Sequence, residues 1–155
     1  MDIYRTIDEI DYKILEILQE KARIPNAEVA RQVGMAPSAV LERIRKLESQ
    51  GIIQGYEVRL NPEHFGQGLT AFVVVKAARA GNGRLGGELA RLTGVQEVHQ
   101  VAGDDGYLVK LRVADTAELG RILRDEIAAV EGVRDTHTSV VLKTVKETRK
   151  ISLDK

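Results

Sequence analysis

The sequence predicts an α+β chain in which three short helices precede a sheet domain of βαββαβ order. Two observations carry that prediction. Up to about Gly55 the apolar residues recur at helical spacing, whereas from Thr70 onward runs of strand length alternate with helical stripes. In the later part Tyr107, Val109, Leu111 and Val113 alternate with Leu108, Lys110 and Arg112, the pattern of a strand with one covered face.

The elements follow in order. Ile7, Ile10, Ile14, Ile17 and Leu18 form the stripe of a first amphipathic helix, with Asp8, Glu9, Lys13 and Glu16 facing away. Pro25 closes the next turn, Asn26 is placed to cap a second helix carrying Val29, Ala30 and Val33, and Gly34 ends it. Pro37 then takes the first-turn position it favours, and Val40, Leu41, Ile44 and Leu47 bury the third helix, which Gly51 stops. Residues 52–60 read as an extended connector, and Asn61-Pro62 with Gly66 and Gly68 marks a boundary. A strand over 71–78, a helix on Leu85, Leu89 and Leu92, and strands over 95–102 and 107–113 come next. Asp115 and Glu118 form a capping box for a helix on Leu119, Ile122, Leu123 and Ile127, and a last strand is predicted over 136–145. Strand, helix, strand, strand, helix, strand is the split βαβ of ferredoxin-like domains. The expected organisation is a helical domain over 1–51, a connector over 52–67, the ferredoxin-like domain over 68–145 and a basic, solvated tail over 146–155.

Composition narrows the function. Lys+Arg 23 balance Asp+Glu 23, so the chain does not coat nucleic acid or an anionic membrane by overall charge. Without cysteine there is no disulfide, thiolate metal site or cysteine nucleophile. No apolar run is long enough to span a bilayer and the N-terminus lacks the signature of a signal peptide, so a soluble, cytoplasmic protein without membrane partners is expected.

Two short helices joined by a tight Gly-containing turn behind a stabilising first helix are the layout of a helix-turn-helix of winged type, whose last helix enters the major groove of double-stranded DNA. If Pro37 opens it, the positions offered to DNA are Pro37, Ser38, Ala39, Glu42, Arg43, Arg45 and Lys46. Arg and Lys read guanine or clamp phosphates, Ser38 bonds a base or phosphate, and first-turn N–H groups attract phosphate oxygens. The same pattern also suits a generic three-helix bundle whose polar face meets water.

Several stretches resemble the leucine-responsive and asparagine regulator (Lrp/AsnC) family: residues 7–15 (IDEIDYKIL), 30–51 (ARQVGMAPSAVLERIRKLESQG), 52–56 (IIQGY), and Val101-Ala102-Gly103-Asp104 followed by Tyr107-Leu108. The resemblance covers almost the whole chain. It implies a transcriptional regulator whose ferredoxin-like domain dimerises, builds tetramers, octamers or larger rings, and senses an amino acid where dimers meet. It also implies an effector site at Ala102, Gly103, Asp104, Asp105 and Gly106, with Thr136 and Thr138 supplying hydroxyls, and no cofactor. The run Phe72–Val75 is the expected apolar contact between subunits.

Two positions depart from the family pattern. Ala36 stands where relatives place a Ser before the proline, which removes an N-cap that Ser38 could replace. Gly106 stands where many relatives carry an Asp before the aromatic residue of the next strand, so the carboxylate has moved to Asp105 or the site takes a different ligand or none. The loop also reads simply as a hairpin connection.

Other chemistry has weaker support. Gly81, Gly83 and Gly86 spell a dinucleotide-binding G-x-G-x-x-G, but the four residues between strands 95–102 and 107–113 force a hairpin where a parallel sheet is required. His64, His99 and His137 show no metal-ligand spacing. Sirohaem decarboxylases resemble the family in fold but carry a His-Tyr pair; here Gln100 follows His99. No enzymatic role is expected.

Overall fold

A computed structural model describes residues 7–78, 83–103 and 106–153. The chain divides into two compact units, Met1–Arg59 with Glu147–Lys155, and Leu60–Lys146.

The first unit holds α1 (Glu9–Glu20), α2 (Asn26–Val33) and α3 (Pro37–Ser49). Ile14, Leu18, Val29, Ala30, Val40, Ile44 and Leu47 form its core, with Ile52 and Ile53 packed against it. The expected stripes are therefore the buried ones. Their ends differ in detail. Asp8 caps α1 in a reciprocal box with Asp11, a pairing that the outward reading of Asp8 overlooked. Pro25, not Asn26, is the N-cap of α2; Asn26 is already in the helix and its side chain makes no cap bond. Gly34 ends α2 in the left-handed region, φ 71°, where other residues are strained. Residues 54–60 form neither helix nor ladder.

Residues 147–152 are exposed to solvent, and the segment is also tethered to the first unit. Gln19 grips the Ile151 backbone twice, donating from Nε2 to its carbonyl at 3.1 Å and accepting its N–H at 2.9 Å. Lys150 Nζ meets Glu20 at 2.9 Å, and one Arg149 nitrogen meets both Glu57 carboxylate oxygens at 2.8 and 2.9 Å.

The second unit opens with a 3₁₀ turn at Pro62–Phe65, capped by Asn61. Strands β1 (Leu69–Ala77), β2 (Val95–Val101), β3 (Gly106–Val113) and β4 (Val133–Val140) form one antiparallel sheet in the order β2-β3-β1-β4. Helices α4 (Gly83–Ala90) and α5 (Thr116–Arg121) contribute Leu85, Leu89 and Leu119 to a core with Val73, Val75, Val109 and Leu111. Asp115 caps α5 as predicted. The helix then widens into a π turn, Ile122–Ile127, matched by an Arg121–Glu126 pair at 2.7 Å with the i,i+5 spacing of that turn. The last strand lies earlier than predicted. Val141 N–H bonds Thr70 O and β1 begins at Leu69, so the ladder ends there. Leu142 and Val145, which extended the apolar run in the sequence, are 98% and 90% exposed.

Val73 and Val75 point into this core, so only Phe72 and Val74 of the run 72–75 lie on the helix-free face, beside Leu108 and Lys110.

Candidate DNA interface and effector site

Val40, Ile44 and Leu47 are the buried side of α3. With about 100° between successive residues, the opposite side is Ser38, Glu42, Arg45 and Ser49, with Lys46 adjoining. All five are exposed, as is Pro37; Ala39 is half-buried. Ala36 N-caps α3 without a side-chain bond, and Ser38 does not replace it. The Arg45 and Lys46 side chains make no ion pair or hydrogen bond among the described residues.

Arg43 does not share that face. Its position flanks the buried stripe, and its Nη1 lies 2.7 Å from Asp8 Oδ2 and 2.8 Å from Asp11 Oδ1. The second oxygens are also engaged: Asp8 Oδ1 accepts the Asp11 N–H at 2.8 Å, and Asp11 Oδ2 accepts the Asp8 N–H at 3.3 Å. The Asp11 N–H, then Arg43, holds the Asp8 carboxyl below its usual range, and the two carboxylates push Arg43 up. Arg43 therefore leaves the outward set. Asp8 and Asp11, with the capping-box spacing Asp-x-x-Asp, are the residues that sequence reasoning missed.

Two neighbours shape the rest of the unit. On α2, Glu28 takes two bonds from Arg31 and one from Gln32, which bring its carboxyl down to about 2. Tyr56 donates to Glu48 at 2.9 Å, and burial, then this bond, pushes its phenol up to about 12. Both line a cleft of about 290 Å³ with Leu18, Ile24, Asn26, Leu41, Ile44 and Arg45.

In the second unit, β1 lies between the two parts of the expected effector site. Gly106 is opposite Lys76, and Thr136 and Thr138 are opposite Val75 and Val73. Two strand spacings, about 10 Å, thus separate the end of the hairpin loop from Thr136. Both threonines are half-buried on the helix-facing side. Ala102 and Gly103 precede the loop, Gly103 with φ 111°; Asp104 and Asp105 lie outside the described residues. A Cβ on Gly106 would come 2.2 Å from the Val75 carbonyl oxygen, so β1 approaches too closely for any side chain there.

The remaining candidates separate. Gly86 lies against Tyr107, whose Cε1 would be 2.7 Å from an added Cβ, which is a packing reason for that glycine. Gly81 lies outside the described residues, and β2 and β3 pair antiparallel, so no dinucleotide crossover exists. His99 Nε2 lies 3.2 Å from Glu97 on the helix-free face, while His137 stands three strands further on, opposite Val74. The His99 contact, ahead of Lys110, holds the Glu97 carboxyl below its usual range. Among the described residues no three His, Cys, Asp or Glu side chains gather to hold a metal, and no helix is long and apolar enough to cross a membrane.

A three-helix unit with an exposed polar recognition-type helix, together with a βαββαβ sheet, defines a helix-turn-helix protein carrying a ferredoxin-like domain. Comparison with known proteins gives the family. Residues 7–54 match the winged helix-turn-helix DNA-binding family, and residues 70–151 match the Lrp/AsnC ligand binding domain. The leucine-responsive regulatory protein of Escherichia coli K12 is 37% identical over 150 residues, 95% of this chain and 92% of that protein. HTH-type transcriptional regulator FL11 of Pyrococcus horikoshii is 37% identical over 147 residues, 95% and 97% of the two chains. A Neisseria meningitidis transcriptional regulator in complex with L-Met superposes with TM-score 0.89 at 32% identity, covering 96% of this chain and 98% of that one. The chain belongs to the Lrp/AsnC family of transcriptional regulators.

Proposed function

We propose that this chain is a sequence-specific DNA-binding regulator that reads duplex DNA with α3 and adjusts its assembly and affinity to an amino acid bound by the ferredoxin-like unit. The observation that carries the reading is the solvent face of α3, where Ser38, Glu42, Arg45 and Lys46 are exposed and both cations lack partners among the described residues. Two copies pair through the helix-free sheet face around Phe72, Val74 and Leu108, and present two such helices to an inverted repeat with half-sites about one or two turns apart. Further dimers associate through residues 102–106 and β4. Thr136 and Thr138 hold the effector's polar groups there, and an effector shifts DNA affinity only by binding the assembly states unequally.

The Neisseria neighbour was solved with L-Met, and the feast or famine regulatory protein from Mycobacterium tuberculosis, TM-score 0.86 at 32% identity, with L-methionine. L-Met is therefore the first amino acid to test. Genomic footprinting of the purified protein gives the site and half-site spacing; no enriched site removes the DNA reading. Light scattering and DNA titrations with each amino acid test the sensor, and unchanged size and affinity with all of them remove it. The relatives matched are transcriptional regulators, so an enzymatic role is not proposed.

A further inference from the structure

We propose that Arg43 is a positioning residue: it fixes the roll of α3 through Asp8 and Asp11, and so sets the angle at which Arg45 and Lys46 meet DNA without touching the duplex itself. The inference rests on the DNA-binding reading above.

Three observations support it. Arg43 Nη1 bonds two carboxylates, at 2.7 and 2.8 Å, and the Asp11 side chain is only 9% exposed. To reach a phosphate, Arg43 would have to abandon an almost buried charge, which is strongly unfavourable. Both carboxylates are further locked by their reciprocal bonds to each other's N–H groups, so they offer a fixed reference at the start of α1. Finally, the core contacts of α3 are apolar, through Val40, Ile44 and Leu47, and apolar burial is not directional, while the Tyr56–Glu48 bond holds the last turn of the helix, away from Arg43 and the helix start. Small rolls matter: with side-chain ends about 5–6 Å from the helix axis, a 10° roll moves them by about 1 Å. Hydrogen bonds to base edges do not tolerate that error.

A phosphate contact and a positioning role differ in their salt dependence. Each phosphate contact adds about 0.9 to the slope of log affinity against log salt. The test uses the full chain, the genomic duplex most enriched by the wild-type protein, and a random-sequence duplex of equal length, each titrated at several salt concentrations. For Arg43→Gln the enriched-to-random affinity ratio falls about tenfold, a small part of the usual margin between specific and non-specific binding, while the slope on random duplex is unchanged. Arg45→Gln, the control for contact, lowers that slope by about 0.9 per copy engaged. A lowered slope for Arg43→Gln, or an unchanged ratio, overturns the proposal. A purely structural loss would lower both affinities with the folded fraction measured by circular dichroism, leaving the ratio as it was, and so counts against it too.

Asp8→Asn keeps an N-cap acceptor and provides the variant that folds if Arg43→Gln does not. Positioning predicts a lower enriched-to-random ratio for it. A phosphate-contacting Arg43, freed of a competing carboxylate, would instead bind both duplexes more tightly, which refutes the proposal. If the wild-type protein enriches no duplex at all, the DNA reading itself has failed.

Discussion

Gly106→Ala tests how the sheet is built next to the expected effector loop. The added Cβ would stand 2.2 Å from the Val75 carbonyl oxygen, 3.1 Å from its carbon and 3.3 Å from Lys76 Cα. The obstruction is backbone in the strand at the centre of β3-β1-β4, so it cannot rotate aside as a side chain would. Relief requires β1 and β3 to part by about 1 Å, which combines overpacking of about 1–3 kcal/mol with weakening of the flanking ladder bond, worth about 1 kcal/mol. A loss of about 3 kcal/mol follows, roughly 12–24 °C in melting temperature for a unit of this size. Gly87→Ala is the control: it lies within α4 with nothing within 4 Å of its Cβ, and helix propensity predicts a gain of up to about 1 kcal/mol. Calorimetry of the two variants and the parent resolves effects of this size. A Gly106→Ala unit that melts within about 2 °C of the parent would refute the close approach, and with it the argument that this chain has no room for a carboxylate at 106.

Three further outcomes are expected. Because the Asp8 carboxyl is depressed in the fold, its contribution is complete above the ordinary carboxylate pKa and is lost as pH falls through the lower folded value; melting temperature should therefore drop below about pH 4, and Arg43→Met should make that drop smaller. Deleting residues 147–155 removes the Gln19, Glu20 and Glu57 contacts and should cost the first unit about 1–2 kcal/mol, as expected for exposed pairs and a backbone clamp; an unchanged urea midpoint would show that the strap contributes nothing. In an absorbance titration Tyr56 should ionise at about 12, and Tyr56→Phe should abolish that late transition.

The apolar periods were legible because they obey local geometry. Ile14, Val40, Ile44, Leu47, Leu85, Leu89 and Ile127 are all buried where the stripes placed them. The hairpin between β2 and β3 was equally plain, since so short a connection admits one pairing sense. What escaped was long-range polar pairing. Arg43 looked like an outward cation because its partners lie 35 and 32 residues earlier, and the tethering of the exposed tail was not foreseen because its partners lie 92 to 132 residues away. Hydropathy carries no information on which distant carboxylate a surface Lys or Arg will meet. The Asp-x-x-Asp box at α1 was a local signal, recognisable by the same rule that identified Asp115 with Glu118.

The charge balance acquires a specific meaning once the pairs are known. The chain carries equal numbers of basic and acidic residues, and the fold decides which cations remain available. In the first unit Arg31, Arg43, Arg149 and Lys150 are all committed to carboxylates. On α3 that leaves Arg45 and Lys46 beside Glu42, while Glu48 is held by Tyr56. The α3 helix of one copy thus offers two cations for phosphate, whereas appreciable salt-dependent affinity is built from about 6–10 phosphate contacts. On the proposed reading, affinity must come from several copies acting on one duplex. If copies pair as proposed through the helix-free sheet face, where Phe72, Val74 and Leu108 lie in adjacent pairs, that face bears directly on DNA binding, because bringing α3 helices together would add the charge that one α3 lacks.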